Sequence, residues 1–200
     1  NRGIVGFSSL EMPKGEVVQR VIAQGADVPH NLIEQGRLSD FQRRRIDEWR
    51  PFAPTSISID DRSTVTISDI RAYGRELKKS GPLVALVIDY LQLISGPSGQ
   101  SRLEIVSEVT RQLKIMARDL DCAILALSQL NRGPEQRVDK RPVLSDLRES
   151  GSIEQDADVV MFIYRDPSLE APDFNQPANA LPIEIMVAKN RHGPTMNVPL

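Results

Sequence analysis

Four strand-like segments of the sequence each lead to a polar residue that is able to act on a bound phosphate. Glu11 follows the first segment, Asp89 the second and Gln129 the third, while Lys189 and Arg191 lie near the last. In parallel α/β sheets, ligands bind beyond the carboxyl ends of the strands. If these segments share such a sheet, these residues form the candidate catalytic set.

Each of the first three residues has a structural interpretation beside the chemical one. An aspartate directly after an apolar strand can support Mg²⁺, often through water, or it can cap the following helix. Glu11 can polarise an attacking water, or it can be a favourable charge at a helix N-terminus. Gln129 can sense a terminal phosphate with its neutral amide, or it can be an exposed loop residue. Taken singly, these residues leave both interpretations open.

Lys189 and Arg191 are two positions apart, so on a strand both side chains point to one face. Two cations on one face can clamp a phosphate, including one bound by a neighbouring subunit. The alternative is a solvated, charged edge strand.

Apolar patterning predicts the elements that would position these residues. Strands are predicted at residues 3–8, 55–59, 83–88, 123–127, 159–163, 183–188 and 195–200. Helices are predicted at residues 12–25, in two stretches within 29–54, at 67–79, and in a long segment through Val106 and Leu120. Thr66 or Ser68 is the expected N-cap of the helix at 67–79. Residues 166–182 are predicted to form a loop. This alternation predicts an α/β fold with a mostly parallel central sheet flanked by helices.

The composition narrows the classes of protein and of site. A chain of 200 residues fits one domain, and one Cys with two His excludes a disulfide framework and makes a Cys- or His-rich metal site improbable. The longest apolar run, 83–88, is far shorter than the ~20 residues of a membrane span, so we expect a cytoplasmic protein without membrane contact. A net charge of −2 confines any nucleic-acid contact to a local patch. Trp49 is expected to be a packing anchor.

The order of five segments carries a resemblance to a known family. They are FSSLEM at 7–12, VIDYLQL at 87–93, LSQLNR at 127–132, DLRESGSIEQDAD at 146–158 and AKNRHGP at 188–194. Together they resemble the motor domain of the DnaB family of replicative helicases, a branch of the RecA-like ATPases. The resemblance covers nearly the whole chain, and the stretch from 127 to 158 is its most specific part.

The resemblance implies a role for each candidate catalytic residue. Asp89 matches the Walker B aspartate that supports Mg²⁺, and Glu11 matches the glutamate that orients or deprotonates the attacking water. Gln129 matches the residue that couples the γ-phosphate to the DNA-binding loops. Lys189 and Arg191 match the pair that enters the ATP site of the adjacent subunit.

The resemblance also implies DNA-binding positions: Arg132, Arg148, Glu149 and Gly151 match loops that face single-stranded DNA in a central channel. Residues 131–141 contain four basic side chains and two acidic ones, and no aromatic one. This local surplus favours contacts to phosphates over base stacking. A solvated charged loop is the alternative.

The family's activity and partners follow as expectations. They are ATP with Mg²⁺, single-stranded DNA, assembly as a ring hexamer, contacts with primase and a helicase loader, and duplex unwinding at the replication fork. Two other interpretations stay open at this point. One is a recombinase-type RecA-like ATPase; the other is a non-catalytic module that binds nucleic acid or a partner protein.

Two departures from the family pattern qualify these expectations. Ser8 stands where the family often has an apolar residue, which is expected to loosen the first strand. No Gly-x-x-x-x-Gly-Lys-Ser/Thr loop occurs in the sequence, and there is no initiator Met. We therefore expect residues 1–200 to be a partial motor domain that lacks the Walker A segment and the helical N-terminal collar domain. Alone, it should hydrolyse ATP poorly or not at all.

Overall fold

Parallel strand pairing organises the first part of the chain. The structure, a computed structural model, describes residues 3–137, 139–166 and 182–199 and divides into two units. The first unit runs up to Gly96 and includes Met116–Leu127, and the second comprises Pro97–Ile115 and the chain from Ser128 onward.

The strands are β1 (Ile4–Ser9), β2 (Ile57–Asp60), β3 (Leu83–Asp89), β4 (Ala123–Ala126), β5 (Val159–Tyr164), β6 (Glu184–Asn190) and β7 (Met196–Pro199). The helices are α1 (Lys14–Ala26), α2 (His30–Glu34), α3 (Asp40–Trp49), α4 (Ile67–Ser80), α5 (Arg102–Leu120), α6 (Gly133–Gln136) and α7 (Gly151–Asp156).

The first unit contains a four-stranded parallel sheet in the order β2-β1-β3-β4. Phe7 of β1 lies opposite Val87 of β3. Leu86 and Ile88 are fully buried, as expected for a central strand, whereas Val84 at the start of β3 is half exposed. The predicted α/β class, with a parallel sheet flanked by helices, is confirmed in this unit.

Helix α4 packs closely on the β1 side of this sheet. A Cβ at Gly6 would lie 2.7 Å from Leu77 Cδ1 and 2.8 Å from Leu86 Cδ1, so a larger residue would require these leucine side chains to shift. The Tyr73 hydroxyl donates a 2.7 Å hydrogen bond to the Ser58 carbonyl oxygen and ties α4 to β2. The helix therefore holds the two strands at the start of the unit together.

Two local predictions in this unit are confirmed. Thr66 is the N-cap of α4, because its hydroxyl accepts from the Asp69 N–H while the Asp69 carboxylate accepts from the Thr66 N–H. Trp49 packs against α1, where a Cβ at Gly25 would lie 2.1 Å from the indole Cε2. The indole ring therefore occupies the space that a larger residue at position 25 would need.

The second unit contains a three-stranded antiparallel sheet in the order β5-β6-β7. The apolar run at 159–163 predicts a buried strand in a parallel arrangement, but β5 pairs antiparallel with β6. Val160 and Phe162 are buried, while Val159, Met161 and Ile163 are exposed. An apolar run on both faces indicates a strand but not its partner or direction, which accounts for the difference.

The helical segments between β4 and β5 are elements that patterning does not predict. Helix α6 has four residues, α7 has six, and a 3₁₀ segment spans Leu144–Ser150 between them. Fewer than two turns show no 3.6-residue period, so such segments read as loops. Most of the loop predicted at 166–182 lies outside the described residues, as does the last residue of the final predicted strand.

Ser8 and Ser9 give a stability prediction because both are buried and only one is hydrogen-bonded. Ser8 is 0% exposed and its hydroxyl has no partner among the described residues, whereas the Ser9 hydroxyl donates to the Met12 carbonyl oxygen at 2.7 Å. We expect Ser8→Ala to raise the free energy of unfolding by about 1 kcal/mol, because it removes an unsatisfied buried hydroxyl. Urea denaturation of the 200-residue chain measures this.

Ser9→Ala is the matched control one residue away. It removes a satisfied hydroxyl and should lower the free energy of unfolding by about 1 kcal/mol. If Ser8→Ala destabilises the chain as much as Ser9→Ala does, the Ser8 hydroxyl has a hydrogen-bond partner and the expectation is wrong.

Candidate functional site

Strand β1 brings Glu11 to the carboxyl edge of the parallel sheet. Ser9, the last residue of β1, lies in register with Asp89, the last residue of β3. The Leu10 N–H donates a 2.9 Å hydrogen bond to the Asp89 carbonyl oxygen. Glu11 follows directly and is exposed. The structure thus brings the two predicted carboxylates to neighbouring strand ends in one unit.

The short loop that carries Glu11 is held at both ends. At one end the Ser9 hydroxyl bonds to the Met12 carbonyl oxygen. At the other, Asp61 Oδ2 accepts a 2.9 Å hydrogen bond from the Lys14 N–H, the first residue of α1. Pro13 offers no side-chain cap, so a carboxylate from the loop after β2 caps α1. Asp61 and Glu16 both supply negative charge at this helix N-terminus.

Backbone hydrogen bonds to Leu127 fix the chain on both sides of Asp89. The Leu127 N–H donates to the Ile88 carbonyl oxygen, and the Leu91 N–H donates back to the Leu127 carbonyl oxygen, both at 3.0 Å. The peptide bond between Asp89 and Tyr90 is cis. Burial raises the pKa of Asp89, and the charge of Arg20 opposes that rise.

The Asp89 carboxylate does not cap a helix. The 3₁₀ turn at Leu91–Leu93 begins from Tyr90 with no side-chain hydrogen bond at its cap. Asp89 Oδ atoms have no hydrogen-bond partner within the part of the chain that the structure describes. A partly buried carboxylate of this kind at a strand end suits a hydrated Mg²⁺ ion.

Gln129 lies two residues beyond Leu127, after the end of β4, and is exposed. It belongs to the second unit, as do Lys189 and Arg191. The candidate catalytic set is therefore divided between the units: Glu11 and Asp89 lie in the first, and Gln129, Lys189 and Arg191 lie in the second.

Lys189 and Arg191 both bind the C-terminal end of α7. Lys189 Nζ donates to the Glu154 carbonyl oxygen at 2.5 Å, and Arg191 Nη2 donates to the Gln155 carbonyl oxygen at 3.1 Å. Cations are favoured at a helix C-terminus, where backbone carbonyls lack partners. Both side chains reach carbonyl oxygens of α7, although Arg191 lies in the turn just after β6 and not, as its spacing from Lys189 predicts, on the strand itself. The edge-strand alternative is wrong, because β6 is the central strand of its sheet.

Asp158 joins Arg191 to helix α5. Its carboxylate pairs with Arg191 Nη1 at 3.2 Å and with Lys114 Nζ, and its carbonyl oxygen accepts a 2.8 Å bond from the Arg191 N–H. The hydrogen bond from Lys114 lowers the pKa of Asp158; burial opposes this, and the charges of Lys114 and Arg191 add to it. The motif segment 146–158 therefore ends in a residue that contacts the predicted cation pair.

The predicted DNA-binding positions lie around α6 and α7. Arg132 is exposed at the N-terminal end of α6, and Gly151 is the first residue of α7, where an added Cβ would meet nothing within 4 Å. Arg148 and Glu149 fall in the 3₁₀ segment before Gly151, but their side chains lie outside the described residues.

Residues 131–141 are less basic than their composition indicates. Arg137 pairs with the buried Asp146, and Arg141 pairs with Glu184 at 2.7 Å. Burial raises the pKa of Asp146, but the Arg137 pairing and a 2.7 Å bond from the Val143 N–H outweigh it and the pKa is lowered. Both acidic partners lie outside the 131–141 window.

Arg132 and Lys140 are therefore the cations of this window that have no ion-pair partner among the described residues. The count of four basic residues overstates the charge that a phosphate would meet, because it takes no account of partners further along the chain.

Two other kinds of feature are not found among the described residues. No helix there is long and apolar enough to cross a membrane. No group of three or more His, Cys, Asp and Glu side chains there is placed to hold a metal ion. Any Mg²⁺ bound at Asp89 would take most of its ligands from water and from a nucleotide, as this ion commonly does.

Carboxylates at the carboxyl ends of neighbouring parallel strands, in a sheet flanked by helices, define the class as a parallel α/β domain with a candidate ligand-binding edge. The chain belongs to the family of the DnaB-like helicase C-terminal domain, whose model matches residues 1–200.

Named relatives agree with this assignment. The replicative DNA helicase DnaB of Mycobacterium intracellulare is 44% identical over 192 residues, covering 95% of this chain and 33% of the relative. The DnaB of Geobacillus stearothermophilus is 43% identical over 199 residues, covering 98% and 43%. The chain thus spans about a third to under a half of these curated relatives.

Solved structures agree as well. A DnaB-like replicative helicase, described with its interactions with primase, gives a TM-score of 0.87 at 36% identity, covering 99% of this chain and 48% of that one. A second solved structure, that of an ATPase domain, also superposes with a TM-score of 0.87 at 36% identity, covering 99% and 70%. These two solved structures therefore resemble the chain in both amino-acid sequence and fold.

Asp89→Asn should raise the melting temperature of the 200-residue chain at pH 7. The folded-state pKa of Asp89 is raised by burial, so above that pKa the ionised carboxylate disfavours folding. The gain should shrink as the pH falls through the folded-state pKa and vanish below the unfolded-state value, where Asp89 is protonated in both states. Thermal melts of both proteins across this range measure the difference.

Asp119→Asn, at an exposed position on α5, controls for the loss of one negative charge. A fall in melting temperature for Asp89→Asn at pH 7 would mean that the carboxylate makes a stabilising contact in the folded chain.

Proposed function

We propose that the chain is the greater part of the motor domain of an ATP-dependent replicative DNA helicase. The observation that carries the proposal is the pair of strand-end carboxylates, Glu11 and Asp89, in a domain with the fold of a helicase ATPase domain. In this proposal the 200 residues belong to a longer, full-length protein, since they cover 33% and 43% of the two relatives above. Those relatives are helicases, so they give no support to the recombinase-type or non-catalytic alternatives.

The two carboxylates have separate roles in the proposed ATP hydrolysis. Asp89, partly buried and without a protein partner among the described residues, would hold Mg²⁺ through water. The ion, when bound, neutralises charge that develops on the phosphates. Glu11, exposed on a loop fastened at both ends, would orient the attacking water and accept its proton.

Lys189 and Arg191 would act on ATP held by the adjacent subunit of a ring hexamer. Two cations held at the C-terminal end of α7 suit a γ-phosphate that becomes more negative in the transition state. Gln129, on the segment between β4 and α6, would connect the nucleotide site with the DNA-binding loops. It lies on the same connection as Arg132, three residues away.

Single-stranded DNA would be bound through its phosphates by Arg132 and by the segment of Arg148, Glu149 and Gly151. Arg132 is exposed, and the absence of aromatic residues from 131–141 argues against base stacking there. Primase and a helicase loader are the further partners proposed for the full-length protein, which would work in the cytoplasm at the replication fork. A relative described with its interactions with primase supports the first of these.

Glu11→Gln in the full-length protein should lower kcat for ATP at least about 100-fold while ATP still binds, because the amide orients a water but cannot accept its proton. Phosphate release measures turnover, and a fluorescent ATP analogue measures binding.

Glu16→Gln on α1 is the control, since it removes an exposed ion pair with Arg20 that contributes little to stability. The 200-residue chain, which has no phosphate-binding loop, should give only background hydrolysis. Near-normal turnover by Glu11→Gln would remove Glu11 from the proposed mechanism, and robust turnover by residues 1–200 would show that no further segment is needed.

Arg191→Ala should abolish DNA-stimulated ATP hydrolysis by the full-length protein, because Arg191 acts on the ATP that the adjacent subunit binds. Mixing it with a variant disabled in its phosphate-binding loop should restore activity above that of either protein alone, because each supplies what the other lacks. Steady-state ATPase assays over a range of mixing ratios measure this. Failure to restore activity would place Arg191 in its own subunit's site.

A further inference from the structure

Asp158 has no role in the function proposed above, yet it makes two contacts with Arg191 and a third with Lys114 of α5. Its carbonyl oxygen accepts the Arg191 N–H at 2.8 Å, its Oδ1 faces Arg191 Nη1 at 3.2 Å, and its Oδ2 pairs with Lys114 Nζ. The residue thus contacts both the backbone and the side chain of Arg191.

Arg191 needs such a partner because its own strand does not fix its side chain. It lies in the turn just after β6, and its side chain is 45% exposed. A long arginine side chain in that position loses much conformational entropy when it is held in one arrangement. The Asp158 carboxylate and the Gln155 carbonyl oxygen bind two different nitrogens of its guanidinium group and restrict its orientation.

The elements that supply these acceptors are themselves fastened to α5. Besides the Lys114–Asp158 pair, the Thr110 hydroxyl donates to Asp156 Oδ2 at 2.8 Å, and the Ser152 hydroxyl bonds to the Ser107 hydroxyl at 3.1 Å. All of these residues lie in the second unit. Helix α7 and Asp158 therefore form a fixed support against which Arg191 is held.

We infer that Asp158 is a positioning residue that holds the Arg191 guanidinium in the orientation it needs to reach a neighbouring phosphate. The inference rests on the proposed role of Arg191 in ATP hydrolysis. A misplacement of about 1 Å in a group that acts on the transition state costs on the order of 100-fold in rate. Asp158 does not touch the phosphate, so its loss affects the rate through Arg191.

The structural test uses the 200-residue chain. Asp158→Asn leaves one carbonyl oxygen where Lys114 and Arg191 now use two different oxygens, so the amide can serve only one of them. In ¹⁵N NMR spectra, the Arg191 Nε–Hε signal, assigned with Arg191→Lys, should shift and exchange faster with water. Glu108→Gln on α5, which removes a negative charge paired with Arg111, should leave the signal unchanged. An unchanged Arg191 signal in Asp158→Asn would overturn the inference.

The activity test uses the full-length protein. Asp158→Asn should lower kcat for ATP about tenfold and change KM less than twofold, because the contact to Arg191 matters in the transition state. Asp158→Glu, which keeps the charge, should recover part of the loss, and Glu108→Gln should be normal. Mixed with the variant disabled in its phosphate-binding loop, Asp158→Asn should regain activity, since that partner supplies a correctly held Arg191. A misfolded subunit would not regain activity in this way.

Arg191→Ala in the same assays separates the positioning role of Asp158 from the proposed role of Arg191 in ATP hydrolysis. If Arg191→Ala is inactive and rescued in trans while Asp158→Asn is normal, or is impaired without rescue, the positioning role is wrong and the proposed function stands. If Arg191→Ala keeps full activity, the proposed role of Arg191 fails, and the positioning role fails with it.

Discussion

The register between β1 and β3 decides where both candidate carboxylates stand. Ser9 lies opposite Asp89, and the Leu10 N–H bonds to the Asp89 carbonyl oxygen, so Glu11 leaves the sheet beside the end of β3. Slipping one strand by one residue would turn its buried side chains outward. The fully buried Leu86 and Ile88 make such a slip costly, so burial in the core sets the position of the site.

Helix ends in this chain are completed by distant residues, and these contacts shape the site. Asp61, which follows β2, caps α1 across 47 positions of sequence and so fixes the loop of Glu11. Lys189 and Arg191 bind the carbonyl end of α7 across 35 and 36 positions. Orphan backbone groups at helix ends need partners. Where a tertiary contact supplies the partner, the cap also connects two elements that carry functional residues.

Sequence patterning predicts the long elements of this fold and misses the short helices α6 and α7 for a physical reason. The strand at 83–88 is a continuous apolar run, and the helix through Val106 and Leu120 is long enough to display its period; both are present. Helix α7, at six residues, is too short to display one. Likewise the carboxyl-end rule places Glu11 and Asp89 together because it depends only on strand direction. The partners of Arg137 and Arg141 are set by tertiary contact, so no count within residues 131–141 could find Asp146 or Glu184.

These internal pairings limit how a single chain could hold DNA in the proposed function. In the window 131–141, Arg132 and Lys140 are the cations left unpaired among the described residues. Each phosphate neutralised on a single strand contributes about −0.7 to the dependence of log affinity on log salt concentration. Two such contacts from this window would add only a small, salt-sensitive contribution to the DNA affinity of one chain. The proposed ring would present the same loops several times to one strand, and linked weak contacts would then give a high overall affinity while each contact could still dissociate quickly. The internal ion pairs of Arg137 and Arg141 are therefore compatible with the proposed motor, which must release DNA as often as it binds it.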